Sequence, residues 1–211
     1  MDSSDRIWAR LATMRTMALT PEMARELDEL ARRQDDVVSR RQLNGVGIGH
    51  DRVRSEVRAR RWRIVGPQAV VLHRGTLTEP QLWWVAVLSN GKGAALAGLT
   101  AAAGYGLVGF TSASDTVHVV VANGTRIRRL PRIRVHVSRR FGSTDVHPAR
   151  QPPRTTLDRS LVDAAVWSKS SRKACAILVS AVQQRLTTAS RCAESFTPPG
   201  VFDMAPFCWR S

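Results

Sequence analysis

The strongest constraint on this chain lies in residues 39–65, SRRQLNGVGIGHDRVRSEVRARRWRIV, where eight arginines crowd two short apolar patterns separated by glycines. A solvated loop needs no apolar skeleton. A core helix cannot carry so much charge, because an unpaired buried cation is very costly. Both demands are met by a short helix that seats one face on a small core and offers the other to a polyanion.

The local signals fit that reading. Ser39 is placed to cap a helix over Arg40–Asn44, and GVGIG is a turn too glycine-rich to be helical. The next helix fits His50 to about Arg60. At about 100° per residue, Val53 and Val57 share one face, Asp51, Ser55 and Arg58 point the opposite way, and Arg52 and Arg54 flank them. Upstream, Thr20, Pro21 and Glu22 read as an N-cap, a first-turn proline and a first-turn acid. They predict a helix from Pro21 to about Gln34 with Met23, Leu27 and Leu30 on one side. Downstream, Trp62, Ile64, a Gly66-Pro67 turn and Ala69–Leu72 predict a small β-hairpin.

Three helices followed by a hairpin is the order of a winged helix-turn-helix, in which the third helix enters the major groove and the hairpin lies against the backbone. The candidate DNA contacts are Arg40, Arg41, His50, Asp51, Arg52, Arg54, Ser55, Arg58, Arg61 and Arg63. Asp51 has two open roles: accepting from a cytosine amino group, or favouring the helix N-terminus electrostatically.

The overall charge agrees with a polyanionic partner. The chain has a formal net charge of +15 over 211 residues, so double-stranded DNA is the first expectation and an acidic membrane surface the second. Its basic residues are 29 arginines against 3 lysines. Forked recognition of phosphate and guanine favours that ratio, and so do GC-rich codons. No run of about 18 apolar residues is present, so no membrane span is expected. The start lacks the basic-then-apolar order of a signal peptide. Cys175, Cys192 and Cys208 are too scattered for a disulfide framework or a zinc site, which points to a reducing cytoplasm.

The second half differs in character. TLTEPQLWWVAVLS, with Thr78, Pro80, Trp83 and Trp84, reads as a buried helix, and GAALAGLTAAAGYGL as a small-residue helix or a strand and helix. Residues 116–139 predict an antiparallel hairpin: TVHVVVA, a turn at Asn123-Gly124, then RIRVHVS. Val117, Val119 and Val121 face one way, as do Ile133, Val135 and Val137. Arg126, Arg128, Arg129, Arg132 and Arg134 form a second basic surface, open between sharing the nucleic acid and a plain solvated strand face. Two helices follow, about 156–168 and 170–186, with Leu157, Leu161, Ala164 and Ala165 at core spacing and a surface ion pair between Arg159 and Asp163.

LARRQDDVVSRRQL, the arginine-rich helix ending in RWRIV, the TVHVVVANGTRIRRLPRIRVHVSRR segment and RTTLDRSLVDAA together resemble one family over about residues 24–187. It is the actinobacterial proteins whose N-terminal domain is similar to the AbiEi-type antitoxins of type IV toxin–antitoxin systems. The resemblance implies a winged helix-turn-helix that binds DNA and represses its own operon, beside a nucleotidyltransferase-like toxin. Many longer relatives carry a C-terminal domain similar to very-short-patch-repair endonucleases. This chain departs at Gly49, where the family usually caps the third helix with a serine or similar residue, and at Arg60 and Gln68, where glycine is common.

Catalysis is not expected. A restriction-like site needs an acid–x–Lys pair to hold magnesium and orient water, and none of Lys92, Lys169 and Lys173 has an acid two residues before it. His118 and His136 face each other across the expected hairpin, but they lack a third ligand, so neither a metal nor another cofactor is implied. GVGIG is not a phosphate loop, because no GK[ST] follows. Cys175 reads as core.

The expected architecture is α+β: a winged helix-turn-helix over 21–74, then a small α+β domain with an antiparallel hairpin over 75–187. Residues 1–20 read as a flexible arm or a mis-assigned start. Residues 188–211 show no helical or strand period and read either as a frameshifted continuation or as a genuine tail packing Phe202, Phe207 and Trp209. Two functions follow: an antitoxin-like transcriptional regulator, or a truncated, non-catalytic remnant of a nuclease-family protein that retains DNA binding.

Overall fold

The computed structural model describes residues 19–110 and 116–195. The expectations for residues 1–18 and 196–211 lie outside that range. The chain is mixed α+β and divides between Thr76 and Leu77 into two compact units.

In the first unit, α1 spans Pro21–Arg33, and Thr20 Oγ1 accepts from the Met23 amide at 3.2 Å. A short strand, β1 (Val37–Ser39), follows. Three residues carry no readable period, and sequence patterning missed it. All three are buried, so β1 is held by its neighbours rather than by its own pattern. Ser39 then opens α2 (Arg40–Gly45) with a capping box. Its hydroxyl accepts from the Gln42 amide at 3.1 Å, while Gln42 Oε1 accepts from the Ser39 amide at 2.8 Å.

Helix α3 runs from His50 to Arg58, ending two residues before the expected Arg60. Beyond it, β2 (Arg63–Val65) and β3 (Ala69–Val71) form the expected antiparallel hairpin, with Ile64 opposite Val70. β1 pairs antiparallel with the other side of β3, giving the order β1-β3-β2. Leu27, Val38, Leu43, Ile48, Val53, Trp62 and Val70 form the core that α1, α2, α3 and the sheet share. Burying each large apolar side chain contributes roughly 1.5–3 kcal/mol, enough to seat helices too short to be stable alone.

The second unit opens with α4 (Glu79–Asn90), capped by a Thr78–Gln81 box. It continues through β4 (Ala95–Leu96), α5 (Gly98–Ala103), β5 (Val117–Ala122), β6 (Ile133–Ser138), α6 (Leu157–Val166), α7 (Ser171–Gln183) and α8 (Ala189–Ser195). β4, β5 and β6 lie side by side in that order. One face of this sheet packs Leu96, Val117, Val119 and Val121 against Ala86 and Val87 of α4. Leu161, Ala164, Ile177 and Ala181 form a separate helical core.

The expected antiparallel hairpin is corrected here. β5 and β6 are parallel, with Val117 beside Ile133 and Val121 beside Val137. The chain does turn at Asn123-Gly124, where Gly124 takes φ +83°. It then runs back outside the β5–β6 ladder, tethered by the Arg128 amide donating to Asn90 Oδ1 at 3.0 Å. Arg132, at φ +63°, stands where the chain reverses again into β6. The valine faces are the same in either topology, so periodicity could not distinguish them.

Arg159 and Asp163 are not a surface pair: Asp163 is 7% exposed, and Arg159 bridges it at 3.0 Å and Asp145 at 3.2 Å. Cys175 is half-buried rather than core. The stretch after Thr188 begins as helix α8, where the Thr188 hydroxyl accepts from the Arg191 amide and Cys192 reaches the helical core. Its short length hides any period.

Candidate nucleic-acid interface

Helix α3 has two unlike faces. Val53 is 2% exposed, and Val57 is half-buried against the same core. His50, Asp51, Arg54 and Arg58 are exposed, and His50, Arg54 and Arg58 recur every fourth residue as one stripe along the helix. Ser55 is half-buried beside it. Among the described residues, Arg54 and Arg58 make no ion pair. His50 Nδ1 lies 3.7 Å from Asp51 Oδ1, so the acid at the helix start has a local partner.

The remaining candidates divide by environment. Arg41 is exposed, and Arg40 half-buried, at the start of α2. Arg63 is half-buried and donates to the Gly75 carbonyl at 3.0 Å, which ties the hairpin to the following segment. Arg52, half-buried, and Arg61, exposed, both pair with Glu56. Glu56 is 4% exposed and sits on α3 one residue before Val57. Arg61 donates to one carboxylate oxygen, and Arg52 Nε lies 2.7 Å from the other. The Arg61 hydrogen bond, supported by the Arg52 charge, holds the Glu56 carboxyl below its ordinary value against the opposing cost of burial.

Sequence reasoning assigned Glu56 no role, although its i+4 spacing from Arg52 was a signal for this pair. It also left Arg60 out of the candidate contacts. Arg60 is exposed and takes φ +56°. Its amide donates to the Val57 carbonyl at 3.1 Å, and the Arg61 amide to the Glu56 carbonyl at 3.0 Å. That pair of bonds is a Schellman closure, with Arg60 at the left-handed position that glycine normally fills. This closure ends α3 and fixes the direction in which the hairpin departs. Gly49 caps the other end without a side-chain hydrogen bond.

In the second unit, Arg126, Arg129, Arg132 and Arg134 are exposed and Arg128 is half-buried. No acid lies between residues 116 and 144. On the opposite sheet face from Val117, Val119 and Val121, His118 Nδ1 and His136 Nε2 lie 2.9 Å apart. The His136 ring stacks on Trp167 with centroids 3.5 Å apart. Among the described residues, no group of three or more His, Cys, Asp and Glu side chains could hold a metal ion. No described helix is long and apolar enough to cross a membrane. No protein-family model matches the chain, and no curated protein sequence matches it.

Proposed function

We propose that this protein binds double-stranded DNA through a winged helix-turn-helix over residues 21–74 and acts as a transcriptional regulator rather than an enzyme. The observation that carries the reading is the split of α3, with Val53 sealed in the core while Arg54 and Arg58 are exposed and make no ion pair among the described residues. The element order α1-β1-α2-α3-β2-β3 supports it, because α3 follows α2 across a short glycine-rich turn and the hairpin comes next. In this reading α3 enters the major groove, with Arg54 and Arg58 toward base edges or phosphates. Arg41 and Arg60 add charge at its flanks.

The resemblance to AbiEi-type antitoxins extends the proposal to repression of the protein's own operon, with a nucleotidyltransferase-like toxin as the counterpart. The test is recovery of bound fragments from genomic DNA, followed by anisotropy titrations on one of them across salt. Contact with about five phosphates gives a slope of log affinity against log salt of about −4 to −5. Flat binding between low and physiological salt removes the electrostatic basis of the proposal.

A further inference from the structure

β6 is an edge strand: among the described residues, β5 is its only strand neighbour. Val117 donates to the Arg132 carbonyl at 2.7 Å, and Asn123 to the Ser138 carbonyl at 3.2 Å, so residues of that parity serve the ladder to β5. In a parallel pair, alternate residues direct their amides and carbonyls to opposite sides. Those of Val135 and Val137 therefore point away from β5, along the open edge. The Ile133 amide is turned back to the Leu130 carbonyl at 3.2 Å, which leaves Val135–Val137 as the open stretch.

Beside this edge the returning chain leaves a groove of about 460 Å³. Ile127, Leu130, Ile133 and Val135 give it an apolar lining, and Arg129 and Arg134 a basic one. Val137 is 47% and Ile127 38% exposed, which is unusual for large apolar side chains beside an unpaired strand. Seven arginines and no acid lie between Thr116 and Thr144.

We propose that this edge binds an extended acidic segment of a partner protein, added as a further strand to β6. Strand addition uses main-chain hydrogen bonds for affinity and alternate side chains for selection. The alternation on β6 sets that selection. Val135 and Val137 lie on one face, and Arg134 on the other beside His136, so the incoming strand alternates apolar and acidic residues. Duplex DNA would use the arginines but would leave the apolar lining and the outward backbone groups unused. A second copy of this chain is disfavoured, because its own β6 would bring the same positive charge. The inference concerns the second unit and does not depend on DNA binding by the first.

The test is fluorescence anisotropy of the full chain with a labelled octapeptide of alternating valine and glutamate. Controls are the valine–lysine counterpart and the valine–glutamate peptide N-methylated throughout, which keeps the charge but removes every amide donor. The full chain is expected to bind the first peptide and not the lysine peptide. N-methylation, and separately the double charge reversal Arg129→Glu/Arg134→Glu, are each expected to weaken binding about tenfold or more. Both arginines are exposed, so the double variant should melt with the wild type, and the N-methylated peptide tests the proposal without altering the protein. Absence of binding by the wild type overturns the proposal, and so does equal binding of the N-methylated peptide. Two further results overturn it by assigning the edge elsewhere: displacement of the peptide by a 20-base-pair duplex, or self-association that the double variant abolishes.

Discussion

Arg61 donates its Nε hydrogen to the carboxylate of Glu56, which lies buried beneath it while Arg52 reaches the second oxygen from one helical turn away. If α3 binds DNA as proposed, two of the candidate cations are thus partly neutralised from within. Their number matters, because each phosphate contact changes the salt dependence of binding by nearly one unit of slope.

Replacing Glu56 by alanine should therefore act in opposite directions on folding and on binding. Losing the paired carboxylate should cost about 1–2 kcal/mol in urea unfolding at pH 7. Glu56 is held below its ordinary value of 4.5, so its contribution is full at neutral pH and disappears as pH falls through the folded-state value. The stability gap between variant and wild type should close in acid. DNA binding at low salt should tighten, with a slope steeper by about 1–2. An unchanged slope would mean that Arg52 and Arg61 stand away from the DNA.

Scaffold and contact separate on α3. Arg58 is exposed and makes no ion pair among the described residues, so Arg58→Ala should leave the thermal midpoint nearly unchanged. It should weaken DNA binding by about three- to tenfold and flatten the salt slope by about 1. Val53→Asp places an unpaired carboxylate where the side chain is 2% exposed and should unfold the first unit. Circular dichroism melts and anisotropy on the same samples check both. A melt collapsed by Arg58→Ala would show the two faces to be reversed.

Arg60 occupies the left-handed position of the Schellman closure at φ +56°. A non-glycine residue there carries steric strain of about 1 kcal/mol, partly offset by its smaller loss of chain entropy on folding. Arg60→Gly should therefore stabilise the first unit by no more than about 0.5 kcal/mol while removing one cation near the end of α3. An unfolding midpoint that drops would show that the arginine side chain contributes more than the strain costs.

What could be read from the sequence follows the length of each signal. Thr20, Ser39 and Thr78 each marked a helix start, because a capping hydroxyl acts on the amides two or three residues away and needs no distant partner. Val53 was placed on the core face by period alone. β1 and α8 were not legible, since three and seven residues hold too little period to register. The direction of β6 was hidden for another reason. Its valines face the same way in a parallel or an antiparallel pair, and the tether from Arg128 to Asn90 Oδ1 that helps decide between them spans 38 residues. Glu56 went unremarked and Asp163 was read as half of a surface pair, because i,i+4 spacing says nothing of depth and only the tertiary fold buries both carboxylates.

The last prediction concerns His136, whose ring is stacked on Trp167 with Nε2 at 2.9 Å from His118 Nδ1. Burial first, then the charges of His118 and Arg134, push its pKa down from 6.5 to about 4. The fold therefore favours the neutral ring. Stability from this residue is complete above the unfolded value and is lost as pH falls from 6.5 toward 4, because the unfolded chain takes up a proton that the folded chain refuses. Allowing for solvent screening at a half-buried ring, the loss between pH 7 and pH 5 should be roughly 1 kcal/mol. His136→Gln should be less stable at pH 7, having lost the stack on Trp167, but its stability should change less over the same interval. The two curves should then converge toward pH 5 in urea titrations at fixed ionic strength. Parallel curves would show that another group carries the acid sensitivity of the second unit.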